Sequence, residues 1–258
     1  MKDKKVEVYV VTHKLFDKKL CDCYKKIAVG SNLLSDKTFN EYLRDDVGDN
    51  ISDKNANYCE LTAHYWIWKN SKADIVGLCH YRRYFTNKIF SNDLTNIPNA
   101  DQIQSILDNG YDIILPYRPI ARRKVKEIYC DYGFEHDLDI LRKIILEKYH
   151  DYIGAYDMLM DRHSNYPYNM LICSKKHFNE YSKWLFDILF EVEKRTDLTG
   201  YTQQQARIYG FMSERLLEVW VLHNSLKIKH LRVFNNEMKY SLKKRLIDIL
   251  SIIFNKNI

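Results

Sequence analysis

Short, fully apolar runs alternate along this chain with longer segments in which apolar residues recur at helical spacing. The clearest run is residues 75–79 (IVGLC), which is too short for a helix and suits a strand buried on both faces of a sheet. Comparable strand candidates lie at residues 6–11, 27–30, 111–115 and 169–173. Helices alternating with buried strands predict an α/β fold, in which helices flank a mostly parallel sheet.

The helical segments are marked by their apolar spacing and by their first residues. Asn57, with Glu60 three residues later, matches a reciprocal capping box and predicts a helix over residues 58–69. Residues 45–54 before it are polar and are expected to form a loop. Further helices are expected around residues 103–107, 138–145, 178–192 and 203–223.

The last segment of the chain stands apart from this alternation. Apolar residues from Leu242 to Ile253 lie at helical spacing beside Lys243, Lys244 and Arg245. Such a basic amphipathic helix could lie on an anionic membrane surface, or it could dock on the core with its basic side chains in water. Both interpretations stay open. We therefore expect a main domain over residues 1–235 and a C-terminal helical part over residues 236–258.

The composition excludes several classes of protein. Of the 258 residues 46% are hydrophobic, which allows a sizeable core and argues against intrinsic disorder. The formal charge of +6 is modest, and no nucleic-acid-binding motif is present. The six cysteines are scattered, which argues against a zinc site, and no run approaches the roughly 18 apolar residues of a membrane span. We expect a cytoplasmic protein, with peripheral contact to the inner face of the cell membrane as an option.

Polar and basic side chains follow the predicted strands at their carboxyl ends, where open α/β sheets bind their ligands. Residues 12–14 (THK) follow the first strand, and residues 80–83 (HYRR) follow the run IVGLC. The planar guanidinium group of an arginine matches phosphate oxygens and stays charged, so Arg82 and Arg83 predict an anion site. The alternative is that either arginine pairs with a buried carboxylate and ties the loop to the sheet.

Two other strand exits and several acidic residues are weaker candidates. Residues 116–126 are rich in arginine and lysine, and this segment could close over a diphosphate or could simply be solvated. Another exit is the strand at Asn169. The candidate acids or bases are Asp131, Glu135, His136, Asp161 and Glu214, and spacing singles out none of them. Glu214 could equally form an ion pair with Arg215 inside its helix.

The missing motifs also narrow the chemistry. The chain has no Gly-x-Gly-x-x-Gly, no phosphate-binding loop ending in Lys-Ser/Thr, no His-Glu-x-x-His and no Gly-x-Ser-x-Gly. It also has no Asp-x-Asp after a strand. The nearest such string, residues 137–139, lies at the start of a predicted helix.

Two long motifs resemble those of a known family. They are residues 57–70 (NYCELTAHYWIWKN) and residues 76–85 (VGLCHYRRYF), and shorter matches lie at residues 168–172, 184–186 and 210–217. The pattern is similar to bacterial capsular and exopolysaccharide glycosyltransferases grouped as domain of unknown function 4422. The resemblance covers roughly residues 6–231. It implies a GT-A-like, Rossmann-type fold and transfer of galactopyranose or galactofuranose from a UDP-sugar. The implied acceptor is a lipid-linked glycan in capsular, exopolysaccharide or lipopolysaccharide synthesis.

The resemblance and the polar residues that follow the predicted strands together give a hypothesis for the site. Arginines can stabilise the charge on a departing diphosphate in place of a divalent metal. We therefore expect no required cofactor, with manganese or magnesium as the alternative. The expected substrate-binding residues are Thr12, His13, Asp49, Asn50, His80, Tyr81, Arg82, Arg83 and Asn169. The expected catalytic residues are His80 and, as the base of an inverting transfer, Glu214 or Asp161.

Two rival functions remain at this stage. The first is a phosphoryl-transfer enzyme or phosphatase, with His80 as the nucleophile and Arg82 and Arg83 gripping phosphate. The second is a basic, tyrosine-rich nucleic-acid-binding module, which the missing nucleic-acid motifs disfavour.

Overall fold

The computed structural model describes residues 3–30, 39, 41–88, 93–119, 121–238, 241, 246 and 249–253. Leu242, Lys243, Lys244 and Arg245 of the predicted C-terminal helix lie outside these residues. Leu246 and residues 249–253 are helical. Leu246, Leu250 and Ile253 are exposed, whereas Ile252 is buried. The division of the chain at residue 235 stays a prediction.

One mixed sheet holds the strands of the described chain together. These strands are β1 (Val6–Thr12), β2 (Tyr24–Ala28), β3 (Leu43–Arg44), β4 (Ile75–His80), β5 (Arg83–Thr86), β6 (Ile113–Pro116), β7 (Leu171–Ser174) and β8 (Ile228–Asn235). The predicted strands all exist, with their ends shifted by one to three residues. The strands β3, β5 and β8 were not expected from the sequence.

The strand directions divide the sheet into two halves. In the first half, β3, β2, β1 and β4 are parallel. In the second half β7 runs antiparallel to β4, with Leu78 opposite Leu171, and β6 runs antiparallel to β7. Then β8 is parallel to β6, and β5 is antiparallel to both β8 and β4. The expectation of a mostly parallel sheet therefore holds only for the first half, although the α/β class is confirmed.

The pairing of β4 with β7 depends on a glycine. A Cβ added at Gly77 would lie 2.6 Å from Cγ1 of Ile172 and 3.1 Å from the carbonyl oxygen of Leu171. Only a residue without a side chain lets the two strands approach so closely at this point.

The helices cover both faces of the sheet. They are α1 (Asn55–Tyr58), α2 (Leu61–Asn70), α3 (Ala100–Asp108), α4 (Val125–Tyr129), α5 (Glu135–Lys148), α6 (Ile153–Asp161), α7 (Lys175–Arg195) and α8 (Ile208–His223). In β1, Tyr9 and Val11 face the larger core with α2, α7 and α8, whereas Val8 and Val10 face a second core with α3. Because both faces are buried, central strands such as β4 are apolar along nearly their whole length. No helix in the described ranges is long and apolar enough to cross a membrane.

The predicted capping box at Asn57 and Glu60 is wrong. The chain forms two short helices here, because Cys59 has a φ of 52° and ends α1. Asn57 donates its Nδ2 to the carbonyl of Ala206 instead of capping a helix. Glu60 makes no cap hydrogen bond to α2. Its side chain is thus available for another role.

Candidate functional site

A cavity of about 790 Å³ opens at the edge of the sheet where β1 and β4 end. Its walls come from these strand ends, from the α1–α2 junction, from the segment before α8 and from Glu214 on α8. The lining residues are Val11, Thr12, His13, Val29, Asn55, Ala56, Cys59, Glu60, His80, Tyr81, Arg82, Arg83, Tyr168, Gln203, Gln204, Arg207 and Glu214. Segments far apart in the chain therefore meet at the predicted strand exit.

Three guanidinium groups give the cavity a basic wall. The Arg83 guanidinium lies 4.3 Å from the ring centroid of Tyr168, and that of Arg82 lies 5.6 Å from the ring centroid of Tyr81. Within the described chain neither of these two arginines forms an ion pair, so the alternative of a buried carboxylate partner finds no support there. The third, Arg207, donates its Nε to the Sγ of Cys59 at 3.0 Å. Such a wall suits a multiply charged anion.

The pKa values of the two histidines of the cavity are lowered, which favours their neutral forms. Burial lowers the pKa of His13, and the neighbouring positive charges of Lys14 and Arg82 lower this pKa further. Burial also lowers the pKa of His80, against the opposing effect of Glu60. The Nε2 of His80 lies 2.8 Å from the carbonyl oxygen of Tyr168. Because a carbonyl only accepts, Nε2 carries the proton and is engaged in this bond.

Two carboxyl groups face the basic wall. Oε1 of Glu214 accepts the backbone N–H of Tyr168 at 3.0 Å, and its Oε2 lies 3.4 Å from Arg215. Burial raises the pKa of Glu214, and the nearby charge of Glu60 raises it further, while Arg215 acts in the opposite direction. Oε1 of Glu60 accepts from Nδ2 of Asn169 at 2.8 Å. A carboxyl with a raised pKa beside a cluster of cations is a typical acid–base arrangement.

Strained backbone surrounds these carboxyl groups. Four non-glycine residues in the described ranges have positive φ, and three of them are Cys59 (52°), Tyr168 (76°) and Asn169 (51°). Asn169 is fixed from both ends of its amide. Its Nδ2 also contacts the carbonyl of Gly210 at 3.2 Å, and its Oδ1 accepts from Ser213 at 2.9 Å. Strain of this kind persists where the surrounding contacts impose it, often at functional sites.

The direction of β7 explains why Asn169 lies here. Because β7 is antiparallel to β4, its first residues adjoin the last residues of β4. Asn169 therefore precedes its strand, whereas the expectation of ligand sites at strand exits assumed that it follows one. It is buried behind Glu60 and does not line the cavity.

The structure brings most of the predicted site residues together but leaves four outside the cavity: Asn169, Asp49, Asn50 and Asp161. Thr12, His13, His80, Tyr81, Arg82, Arg83 and Glu214 all line it. Asp49 instead accepts from the Tyr65 hydroxyl on α2, and Asn50 donates to the carbonyl of Gly48 within its own turn.

Asp161 lies in a second cleft of about 900 Å³ formed by α4, α5 and α6. It is exposed and forms ion pairs with Lys124 at 3.0 Å and Lys126 at 3.3 Å. These two lysines lower its pKa, which is unfavourable for a general base. Glu214 is therefore the better placed of the two predicted bases.

The basic segment after β6 has its own partners. Arg118 is buried and pairs with Glu218 on α8 at 2.8 Å, and Arg123 pairs with Asp131. Neither of these arginines lines the cavity. The segment is thus neither a simple solvated run nor part of the cavity wall.

Sequence reasoning missed Glu60 and Arg207. Glu60 stood in a pattern that matches a helix cap, and Arg207 follows no strand, since it precedes α8.

In the part of the chain that the structure describes, no group of three or more His, Cys, Asp or Glu residues could hold a metal ion.

The fold and the cavity define a mixed α/β protein with an arginine-rich ligand site at the edge of its sheet. The chain belongs to the family described as domain of unknown function DUF4422, whose model matches residues 7–225.

Among solved structures, the apo structure of the WbbM bifunctional glycosyltransferase is similar, with 30% identity and a TM-score of 0.78. The match covers 91% of this chain and 46% of that one, so this chain spans less than half of its length. The mannosyltransferase Ktr4p from S. cerevisiae matches at 12% identity and a TM-score of 0.34, over 82% of this chain and 61% of that one, which is too weak to carry an argument. A comparison with the curated proteins gives no match.

Proposed function

We propose that this protein is a GT-A-like glycosyltransferase that transfers a hexose, galactopyranose or galactofuranose, from a UDP-sugar. The acceptor is a lipid-linked glycan in capsular, exopolysaccharide or lipopolysaccharide synthesis. The observation that carries the proposal is the cavity, which combines three arginines with two carboxyl groups. The similarity to WbbM, whose name describes a bifunctional glycosyltransferase, supports the same class of reaction.

The basic wall would hold the diphosphate of the donor. Arg82, Arg83 and Arg207 supply three positive charges to one side of the cavity. Cations fixed in place before the reaction stabilise the negative charge that develops as UDP departs. The proposed transfer therefore needs no divalent ion. Thr12 and His13, at the end of β1, lie where the nucleotide would extend along the cavity.

Glu214 would act as the general base of an inverting transfer. The acceptor hydroxyl attacks C1 of the sugar as the bond from C1 to the UDP oxygen breaks, and UDP leaves with the electron pair. The hydroxyl proton passes to Glu214. Its raised pKa suits this step, because a base works best when its pKa lies near the working pH. Glu60, held by Asn169, lies close enough to raise this pKa further.

The donor part of the proposal is tested by calorimetry of UDP binding in the presence of a chelator. Wild type is expected to bind, and Arg82→Ala or Arg83→Ala to lower the affinity about 10- to 100-fold, as for a lost charged hydrogen bond. Arg142→Ala is the matched control, since Arg142 pairs with Asp157 away from the cavity. If UDP binding required added manganese, the proposal that the arginines hold the diphosphate without a divalent ion would be wrong. A wild type without affinity for UDP or UDP-sugars would contradict the function itself.

The catalytic part is tested with a panel of UDP-sugars, with products identified by mass spectrometry. Glu214→Gln is expected to lower turnover about 100- to 10,000-fold, the usual contribution of a general base, and to leave UDP affinity nearly unchanged. In Glu60→Gln the acid limb of the pH–rate profile should shift to lower pH, because Glu60 raises the pKa of Glu214. An unshifted profile in this variant would exclude Glu214 as the titrating base.

A further inference from the structure

A row of aromatic rings leads from the cavity wall onto the outer surface. The guanidinium of Arg207 lies 5.7 Å from the ring centroid of Phe211, whose ring is 5.3 Å from that of Tyr132. Two residues later, the ring of Phe134 lies 4.9 Å from that of Tyr201. We call Phe211, Tyr132, Phe134 and Tyr201, together with Arg207 at their start, the aromatic strip. Arg207 belongs both to the cavity wall and to the start of the strip, so the two are continuous.

The strip presents its rings to solvent at the turn between α4 and α5. The side chains of Tyr132 and Phe134 are 44% and 38% exposed. Between them, a Cβ added at Gly133 would lie 2.7 Å from the ring of Tyr129. The backbone of Gly133 therefore packs directly on the buried Tyr129, and the two flanking rings point outward.

A buried carboxylate fixes the strip in place. Asp137 is fully buried, and it accepts from the Tyr201 hydroxyl at 2.6 Å and from the backbone N–H of Phe134 at 3.0 Å. The Tyr129 hydroxyl also donates to Asp137, at 3.3 Å. The rings need little further ordering on binding, which favours affinity.

The groups around the strip indicate what it binds. Glu135 and Asp131, which pairs with Arg123, flank the exposed rings in the sequence, and Gln203 and Gln204, which follow Tyr201 in the chain, line the cavity. A sugar ring has an apolar face of C–H groups that packs on an aromatic ring, and hydroxyls at its rim that bond to carboxylates and amides.

We propose that the aromatic strip binds the terminal sugars of the acceptor glycan and leads its hydroxyl to Glu214. This inference rests on the proposed function, because it assigns the acceptor side of the same reaction. An acceptor must reach the cavity across a neighbouring surface, and the strip is a surface of suitable chemistry that shares a residue with the cavity wall.

The test measures glycan binding directly, by saturation-transfer NMR with octyl glycosides of galactose, glucose, mannose and rhamnose. Wild type is expected to transfer saturation to the ring C–H protons of at least one glycoside. Tyr132→Ala and Phe134→Ala should each weaken that binding about 3- to 10-fold, as for the loss of one aromatic contact. Tyr132→Phe keeps the ring and should bind as wild type.

The control is Leu146→Ala, which removes a similarly exposed apolar side chain from α5. UDP affinity and UDP-sugar hydrolysis should stay within about twofold of wild type in all four variants, because none of them changes the cavity wall. The proposal is overturned if no glycoside binds, or if the two alanine variants bind glycosides as well as Leu146→Ala does. A wild-type protein that does not bind UDP would instead refute the proposed function. The failure of this inference and the failure of the proposed function are therefore distinguishable.

Discussion

Replacing Asn169 with aspartate tests the carboxyl arrangement most directly. The substitution keeps the shape of the side chain and keeps the oxygen that accepts from Ser213. It replaces Nδ2, which donates to Glu60 at 2.8 Å, with a second carboxylate oxygen. Two carboxylates then meet in a buried position where the wild-type protein has a hydrogen bond.

The expected loss of stability follows from this distance. At 2.8 Å and an effective dielectric constant of about 20, two unit charges repel by roughly 6 kcal/mol. One bound proton relieves the repulsion. Keeping this proton bound at pH 8, roughly four units above an ordinary carboxyl pKa, costs about 5 kcal/mol of free energy. At pH 5 the same protonation costs about 1.4 kcal/mol. In the variant, the pair of carboxyl groups has a raised pKa in the folded state. The variant is therefore more stable at low pH and loses stability as the pH rises.

The assay is thermal or urea unfolding of Asn169→Asp and wild type at pH 5 and pH 8. The loss of unfolding free energy in Asn169→Asp should be about 4 kcal/mol larger at pH 8 than at pH 5. For a chain of this size this is a Tm difference of about 8 to 16 °C. Asn169→Ala is the control. It loses a hydrogen bond to a charged group, about 1.5 to 3 kcal/mol, at both pH values. Equal losses for the two variants at both pH values would refute the assigned contact between Asn169 and Glu60.

Two further predictions concern stability. Burial raises the pKa of Glu214 from 4.5, so the stability from this group is present below that value and is lost as the pH rises through the raised pKa. Glu214→Gln should therefore raise the Tm above that of wild type at pH 8, with the gain vanishing near pH 4. Gly77→Ala should lower the free energy of unfolding by about 1 to 3 kcal/mol, since its Cβ would meet Ile172 at 2.6 Å; an unchanged urea midpoint would contradict the close approach of β4 and β7.

Most of the strands that the sequence predicted share one property. β1, β4 and β7 are buried on both faces, so they appear as continuous apolar runs. β5 begins at Arg83, inside the segment that was interpreted as a ligand-binding exit, and β8 is only partly buried. The direction of β7 has no local signal either. A strand runs parallel or antiparallel according to how the chain returns to the sheet, which composition and periodicity do not record.

The same limit applies to the site. Residues at the ends of β1 and β4 were predicted because a polar stretch after an apolar run is a local pattern. Glu60 was missed because the local pattern favoured a helix cap, while its actual partner, Asn169, lies 109 residues away. The left-handed φ of Cys59 separates α1 from α2 and leaves Glu60 free to reach that partner. No signal in the neighbourhood of Cys59 indicates this break.

Several features that escaped prediction are unfavourable by themselves. Cys59, Tyr168 and Asn169 hold positive φ, and Glu60 lies close enough to Glu214 to raise the pKa of its carboxyl. Sequence patterns report favourable local choices, so they cannot identify positions where the whole fold imposes an unfavourable one. Structures usually retain such positions where function needs them. Their concentration around one cavity is therefore an argument for a catalytic role that is independent of the family relationship.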